Sequence, residues 1–109
     1  MARNMNPTYL NKLRKIEKNG FTFDLANYLY NPAYGNDYPS FRKILSKSAD
    51  STTYMVIYYF KYYDGTGEYI SEIYTAPNTD SEWVVTSTVQ KTVLASANRF
   101  NLNTLLSFC

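Results

Sequence analysis

Three short constellations in this 109-residue chain carry side chains able to do chemistry. Ser40-Phe41-Arg42-Lys43 has the serine-x-x-lysine spacing that some acyl-transfer enzymes use, the lysine taking the serine's proton. That arrangement needs a helix, and this segment reads as a loop entering a strand. Gly65-Thr66-Gly67 lacks the third glycine and the following helix of a dinucleotide site, so it reads as a turn. Glu68 and Glu72, with Tyr63 and Tyr74 on the same strands, could share acid–base work, but Lys61 between them points to a cross-strand ion-pair cluster. Histidine is absent, which removes the commonest general base and the commonest metal ligand together. The single cysteine, Cys109, cannot build a thiolate zinc site or a disulfide within the chain. No catalytic residue, metal site or cofactor is therefore expected, and the chain is not expected to be an enzyme.

The feature that departs most from an ordinary domain is tyrosine. There are twelve, and nine lie between positions 28 and 63. Tyrosine offers a large contact area at a low cost in side-chain entropy and ends in a polar group, so it is enriched in binding surfaces. An interior of this size absorbs four or five. The rest are expected at least partly exposed: Tyr28, Tyr30, Tyr34 and Tyr38 in a long loop, and Tyr59, Tyr63 and Tyr74 on a hairpin. Together with Lys61, Glu68 and Glu72 they form the expected partner-binding surface.

The elements that must position these residues follow from local pattern. Asn6-Pro7 is an N-cap and first helical residue, and Leu10, Leu13 and Ile16 make an apolar stripe behind it. Lys18-Asn19-Gly20 reads as the helix stop. Residues 21–25 alternate as a short strand, 26–40 read as a helical turn and loop, and 41–46 as a second strand. Residues 52–63 are almost all β-branched or aromatic, and Asp64-Gly65-Thr66-Gly67 turns them back along 68–75. An even-length turn places Tyr54, Val56, Tyr58, Phe60 and Tyr62 with Tyr69, Ser71 and Ile73 on a charge-free core face. It leaves Met55, Ile57, Tyr59, Lys61 and Tyr63 with Glu68, Ile70, Glu72 and Tyr74 on the other; a bulged, odd-length turn would break this division. Thr79-Asp80-Ser81-Glu82 fits a capping box. Val85, Val89, Val93 and Ala97 then recur every four residues, which favours a helix over 80–97, with a fourth strand as the rival because residues 83–88 are rich in strand formers. Leu102, Leu105, Leu106 and Phe108 suggest a short terminal helix. The expected fold is one α+β domain over residues 1–109: a three- or four-stranded antiparallel sheet with an N-terminal helix and one or two C-terminal helices packed on one face.

Composition sets the outer bounds. An apolar fraction of 45% and a charged fraction of 18% are those of a folded chain. Residues 1–7 contain no apolar core of a signal peptide, and the longest apolar run, residues 54–60, falls short of the roughly 20 residues that span a bilayer. A soluble protein in the host cytoplasm, without membrane contact, is expected. Charge is unevenly placed. Arg3, Lys12, Arg14, Lys15 and Lys18 face only Glu17 in the first twenty residues, whereas residues 61–82 hold Lys61 against Asp64, Glu68, Glu72, Asp80 and Glu82. Such polarity can steer a charged partner.

Two resemblances bear on function. The helix-strand-strand-strand-helix order over residues 7–97 resembles the double-stranded-RNA-binding domain, but Asp80, Ser81 and Glu82 stand where that family grips phosphates with basic residues. The layout Lys18-Asn19-Gly20, a strand over 21–25, and Tyr63-Asp64-Gly65 leading to Glu68-Tyr69-Ile70 resembles small phage-encoded inhibitors, the anti-CRISPR proteins. That resemblance implies binding and inhibition of a host protein or ribonucleoprotein, such as a CRISPR effector complex. One alternative is an RNA- or single-strand-binding module using Lys12, Arg14, Lys15 and Lys18 with stacking tyrosines. Another is a virion or self-assembling component, a homo-oligomer with residues 54–60 at a subunit boundary.

Overall fold

A computed structural model describes residues 7–25, 38–78 and 87–109. The described residues are mostly sheet. Helix α1 (Pro7–Arg14) leads into β1 (Glu17–Lys18), β2 (Phe21–Phe23), β3 (Phe41–Lys47), β4 (Ser51–Lys61), β5 (Gly67–Pro77) and β6 (Ser87–Ser96), and α2 (Leu102–Ser107) closes the chain. All six strands form one sheet in chain order, each antiparallel to the next. This overturns the expectation of three or four strands with one or two C-terminal helices packed on one face.

Two misread segments explain the difference. Lys18-Asn19-Gly20 is not a helix stop, because α1 has already ended at Arg14. Lys18 pairs with Phe21, and the two residues between them take φ of 53° at Asn19 and 87° at Gly20. Two successive positive φ values make a two-residue hairpin turn whose twist matches its strands, and Asn-Gly is the pair best suited to it. The second segment is 87–96, where the rival strand forms in place of the favoured helix. Its β-branched content prevails over the four-residue valine spacing. The strand shifts register against β5 between Tyr69 and Ile70 and again between Ile73 and Tyr74, so its side chains never had to alternate strictly. The capping box at 79–82 and Val85 lie outside the described residues, as does the loop at 26–37.

The central hairpin forms as expected but with the odd turn. Tyr62 donates its N–H to the Thr66 carbonyl at 2.8 Å, and the Gly65 N–H donates to the Tyr62 carbonyl at 3.1 Å. Three residues therefore lie inside the last pair, with Gly65 at φ 90°. This is the three-residue hairpin loop that needs a left-handed residue, a position glycine takes without steric cost. The register pairs Tyr54 with Tyr74, Val56 with Glu72, Tyr58 with Ile70, Tyr59 with Tyr69 and Phe60 with Glu68. Even-numbered residues of both strands share one face, so the charge-free face does not exist.

Both faces are buried. On one, Leu13 of α1 and Leu105 of α2 pack with Phe21, Phe23, Phe41, Ile57, Tyr59 and Tyr69. On the other, Val56, Tyr58, Ile70, Tyr74 and Ala76 cluster, flanked by Tyr54 and Phe60. Each large apolar side chain so buried contributes about 1.5–3 kcal/mol. Hydrogen bonds from the sheet anchor the last segment. The Tyr59 hydroxyl donates to the Ala97 carbonyl at 2.7 Å, Lys61 Nζ to the Asn98 carbonyl at 2.7 Å, and the Asn101 N–H to the Tyr69 hydroxyl at 2.9 Å. The Asn101 side chain then caps α2 by accepting from the Thr104 N–H at 3.1 Å.

Gly67 opens β5 where only a hydrogen fits: a Cβ there would strike the Tyr59 hydroxyl and lie 2.7 Å from the Ala97 carbonyl oxygen. Gly67→Ala must push Tyr59 off Ala97, combining overpacking with a lost hydrogen bond. We expect a loss of about 2–4 kcal/mol in urea unfolding. A loss below about 1 kcal/mol would show that Tyr59 is not held where the structure places it.

Candidate functional site

The residues singled out for chemistry are not brought together. Ser40 is buried and its hydroxyl makes no hydrogen bond, while the Lys43 ammonium sits 4.8 Å above the centre of the Phe21 ring. No serine–lysine pair exists to transfer a proton. No group of three or more His, Cys, Asp or Glu side chains is placed to hold a metal among the described residues. No described helix is long and apolar enough to cross a membrane.

The expected partner-binding residues separate widely. Tyr28, Tyr30 and Tyr34 lie outside the described residues. Tyr59 and Tyr74, expected at the surface, are fully buried. Tyr38 is half-buried and packs edge-on against Tyr59, with ring centroids 5.0 Å apart, and beside Phe100. Lys61 points away from Glu68 and Glu72, because the odd turn puts it on the opposite face. Glu68 instead accepts from the Tyr62 hydroxyl at 2.6 Å, and the buried Glu72 accepts from the Tyr58 hydroxyl. Among the described ones, Tyr63 alone stands clear of the body, 112% exposed at the hairpin tip. Of the basic residues, Lys12, Arg14 and Lys15 are exposed on and just after α1, and Lys18 donates to the Leu106 carbonyl at 2.8 Å.

The tip is a rigid platform for Tyr63. The Asp64 carboxylate accepts from the Thr66 N–H at 2.9 Å and from its hydroxyl at 2.6 Å. These bonds hold the Asp64 carboxyl below its ordinary range. Below the tip, Phe60 and Tyr62 contact at 5.0 Å between centroids. The end of the hairpin thus presents one free phenol ring, a half-exposed aromatic pair and the carboxylates of Asp64 and Glu68.

A second group forms on the even-numbered face. The Arg42 guanidinium lies over the Tyr54 ring at 4.5 Å, and Tyr54 stacks on Tyr74 at 5.5 Å. Arg42 Nε also approaches the buried Asp24 carboxylate at 3.7 Å. Beside them a groove of about 380 Å³ is lined by Gly20, Thr22, Arg42, Lys43, Ile44 and Tyr54. Its lining has two cations and no acid–base pair, which suits binding better than catalysis. Sequence reasoning missed this group. Its one signal was the adjacent apolar pair Ile44-Leu45, out of step with strand alternation and now seen at a register shift between Ile44 and Ser46.

No family model matches the chain, and no significant match is found among curated proteins or solved structures.

The buried tyrosines yield a test of this arrangement. Burial, and next the charge of Asp24, push the Tyr74 hydroxyl well above its ordinary 10.0, with Arg42 partly opposing; burial also raises Tyr59. The folded state holds these protons more tightly than the unfolded chain. Their contribution to stability is therefore complete below about pH 10 and is lost as pH climbs through the folded values. We expect the phenolate absorbance of Tyr74 and Tyr59 to appear only together with loss of the near-ultraviolet circular dichroism. Full tyrosine ionisation near pH 10 with structure intact would contradict the burial described.

Proposed function

We propose that this chain works by binding, and that it inhibits a host protein or ribonucleoprotein by occupying one of its surfaces. The observation that carries this reading is Tyr63: a wholly exposed aromatic ring on a turn that is already fixed by Gly65 and by the Asp64–Thr66 bonds. An anchor whose backbone is held before contact has only its side-chain freedom left to lose on binding. Aromatic anchors of this kind dominate interface energies. The nearby Asp64 and Glu68 carboxylates favour a partner with a cationic surface, the kind that nucleic-acid-binding proteins carry. A CRISPR effector complex, the target that the resemblance to phage-encoded inhibitors implies, is one such partner.

The test is retention of a host protein by the immobilised chain, before and after nuclease treatment of the lysate. Tyr63→Ala should weaken the retained complex by a factor of about 30, the scale of a loss near 2 kcal/mol. It should leave the urea midpoint unchanged, since the ring packs on nothing. Equal retention by the variant would overturn the role of the tip. Retention that disappears with nuclease and falls steeply with salt would favour the RNA-binding alternative through Lys12, Arg14 and Lys15.

A further inference from the structure

β3 carries most of its outer edge past its neighbour. β2 pairs only with Phe41 and Arg42 of β3, and its hairpin ends at the Asn19-Gly20 turn, with Gly20 beside Lys43. β4 occupies the inner edge as far as Lys47. Among the described residues no strand lies along the outer side of residues 43–47, and Ile44 and Leu45 are 59% and 41% exposed there. The groove lined by Thr22, Arg42, Lys43 and Tyr54 sits at the root of this open edge. Two cations are held in its wall by aromatic rings, Arg42 over Tyr54 and Lys43 over Phe21. Lys47 stands exposed at the far end.

We propose that this edge and groove receive an extended acidic segment of a partner protein, laid alongside β3 as an added strand. Its main chain would pair with the open edge. A carboxylate would meet Lys43 at the groove, since Arg42 there is already beside Asp24, and an apolar side chain would cover Ile44 and Leu45. The charges decide the occupant. A second copy of this chain, paired antiparallel about Leu45, would set Lys43 of each copy across from Lys47 of the other, and like charges across a strand pair are destabilising. The same lysines that keep copies apart therefore select a partner of opposite sign. A nucleic acid fits less well. Its phosphates have no use for two exposed aliphatic side chains, and the Tyr54 ring is already covered by Arg42 and Tyr74, leaving no face for a base.

This surface is independent of the hairpin tip. Arg42 pairs with Val56 and Lys47 with Thr52, so five to nine residue steps of β4, a span of about 17–30 Å, separate this surface from Lys61 at the tip.

The experiment uses two labelled peptides, one alternating valine with glutamate and one alternating valine with lysine, and a poly-dT oligonucleotide. Binding is read by fluorescence anisotropy and by hydrogen exchange of the backbone amides. The glutamate peptide should bind, slow exchange at residues 43–47, and be unaffected by Tyr63→Ala. The double variant Lys43→Glu, Lys47→Glu should bind it about tenfold more weakly and gain the lysine peptide. A single change, Lys47→Glu, provides the same readout at an exposed position if the double variant folds poorly. Equal binding of both peptides by the native chain, protection elsewhere than 43–47, tighter binding of poly-dT than of the glutamate peptide, or a concentration-dependent dimer occupying the edge would each overturn the proposal.

Discussion

The register of β4 against β5 governs the rest of the molecule. Side chains alternate along a strand, so moving one strand by a single residue exchanges its two faces completely. Here that choice is made by three residues, Tyr63, Asp64 and Gly65, and by the left-handed conformation of Gly65. With the turn at this length, Tyr59 meets Tyr69 and both enter the cluster that α1 and α2 cover. Glu72 then falls on the same face as Tyr58, whose hydroxyl it accepts, and lies opposite Lys91 of β6. A turn one residue shorter or longer would carry Glu68 and Glu72 to the helix-covered side with Lys61, and would part the buried Glu72 from the Tyr58 hydroxyl.

From that register follows the use made of tyrosine. An all-hydrocarbon core would leave the Ala97 carbonyl and the Asn101 N–H without the hydroxyl partners that the sheet gives them. Tyr59 and Tyr69 lie across from each other and reach that segment with their hydroxyls, while their rings, 4.9 Å apart between centroids, stay in the core. Tyrosine is the residue that can do both, filling apolar volume and ending in a donor–acceptor. The high tyrosine content therefore serves, in these residues, to join a thin sheet to a short terminal helix. Lys18 and Asn19 complete the attachment from the other side, donating to the Leu106 and Cys109 carbonyls.

How much of this was legible depended on whether local signals competed. Residues 41–46 and 52–63 were read as strands because nothing in them favours another state, and Leu102 to Phe108 as a helix for the same reason. Asn19-Gly20 was ambiguous: left-handed residues end helices and also turn hairpins, and only the pairing of Lys18 with Phe21 decides between them. Residues 87–96 carried both a four-residue valine spacing and β-branched side chains, and the long partner strand β5 tipped the balance. The candidate surface was harder. Counting tyrosines identifies rings that can bind, but their exposure depends on the parity of one turn. That is why Tyr59 and Tyr74, expected outside, are buried, whereas Tyr63, assigned to the same face by the same parity, is exposed because it lies in the turn itself. The β3 edge left only the adjacent apolar pair Ile44-Leu45 as a trace, since an edge is a property of what fails to lie beside a strand.

The distribution of charge gives the two proposed surfaces their different characters. Lys12, Arg14, Lys15, Lys18, Arg42, Lys43 and Lys47 all belong to α1, the link that follows it, or β1–β3, where the described acids are Glu17 and Asp24. Asp64 and Glu68 stand at the opposite end of β4. Charges so separated are not screened to nothing over a molecule whose longest dimension is 40 Å, because each cluster acts within its own Debye length of about 8 Å on whatever approaches it. The acidic tip is complementary to a cationic surface, and the basic β3 edge to an acidic strand. One body of this size can engage both without the two contacts overlapping, since the sheet that separates them is continuous and hydrogen-bonded throughout. What the fold supplies is a spacer between two proposed binding ends of opposite sign, held together by the aromatic clusters on either face of the sheet.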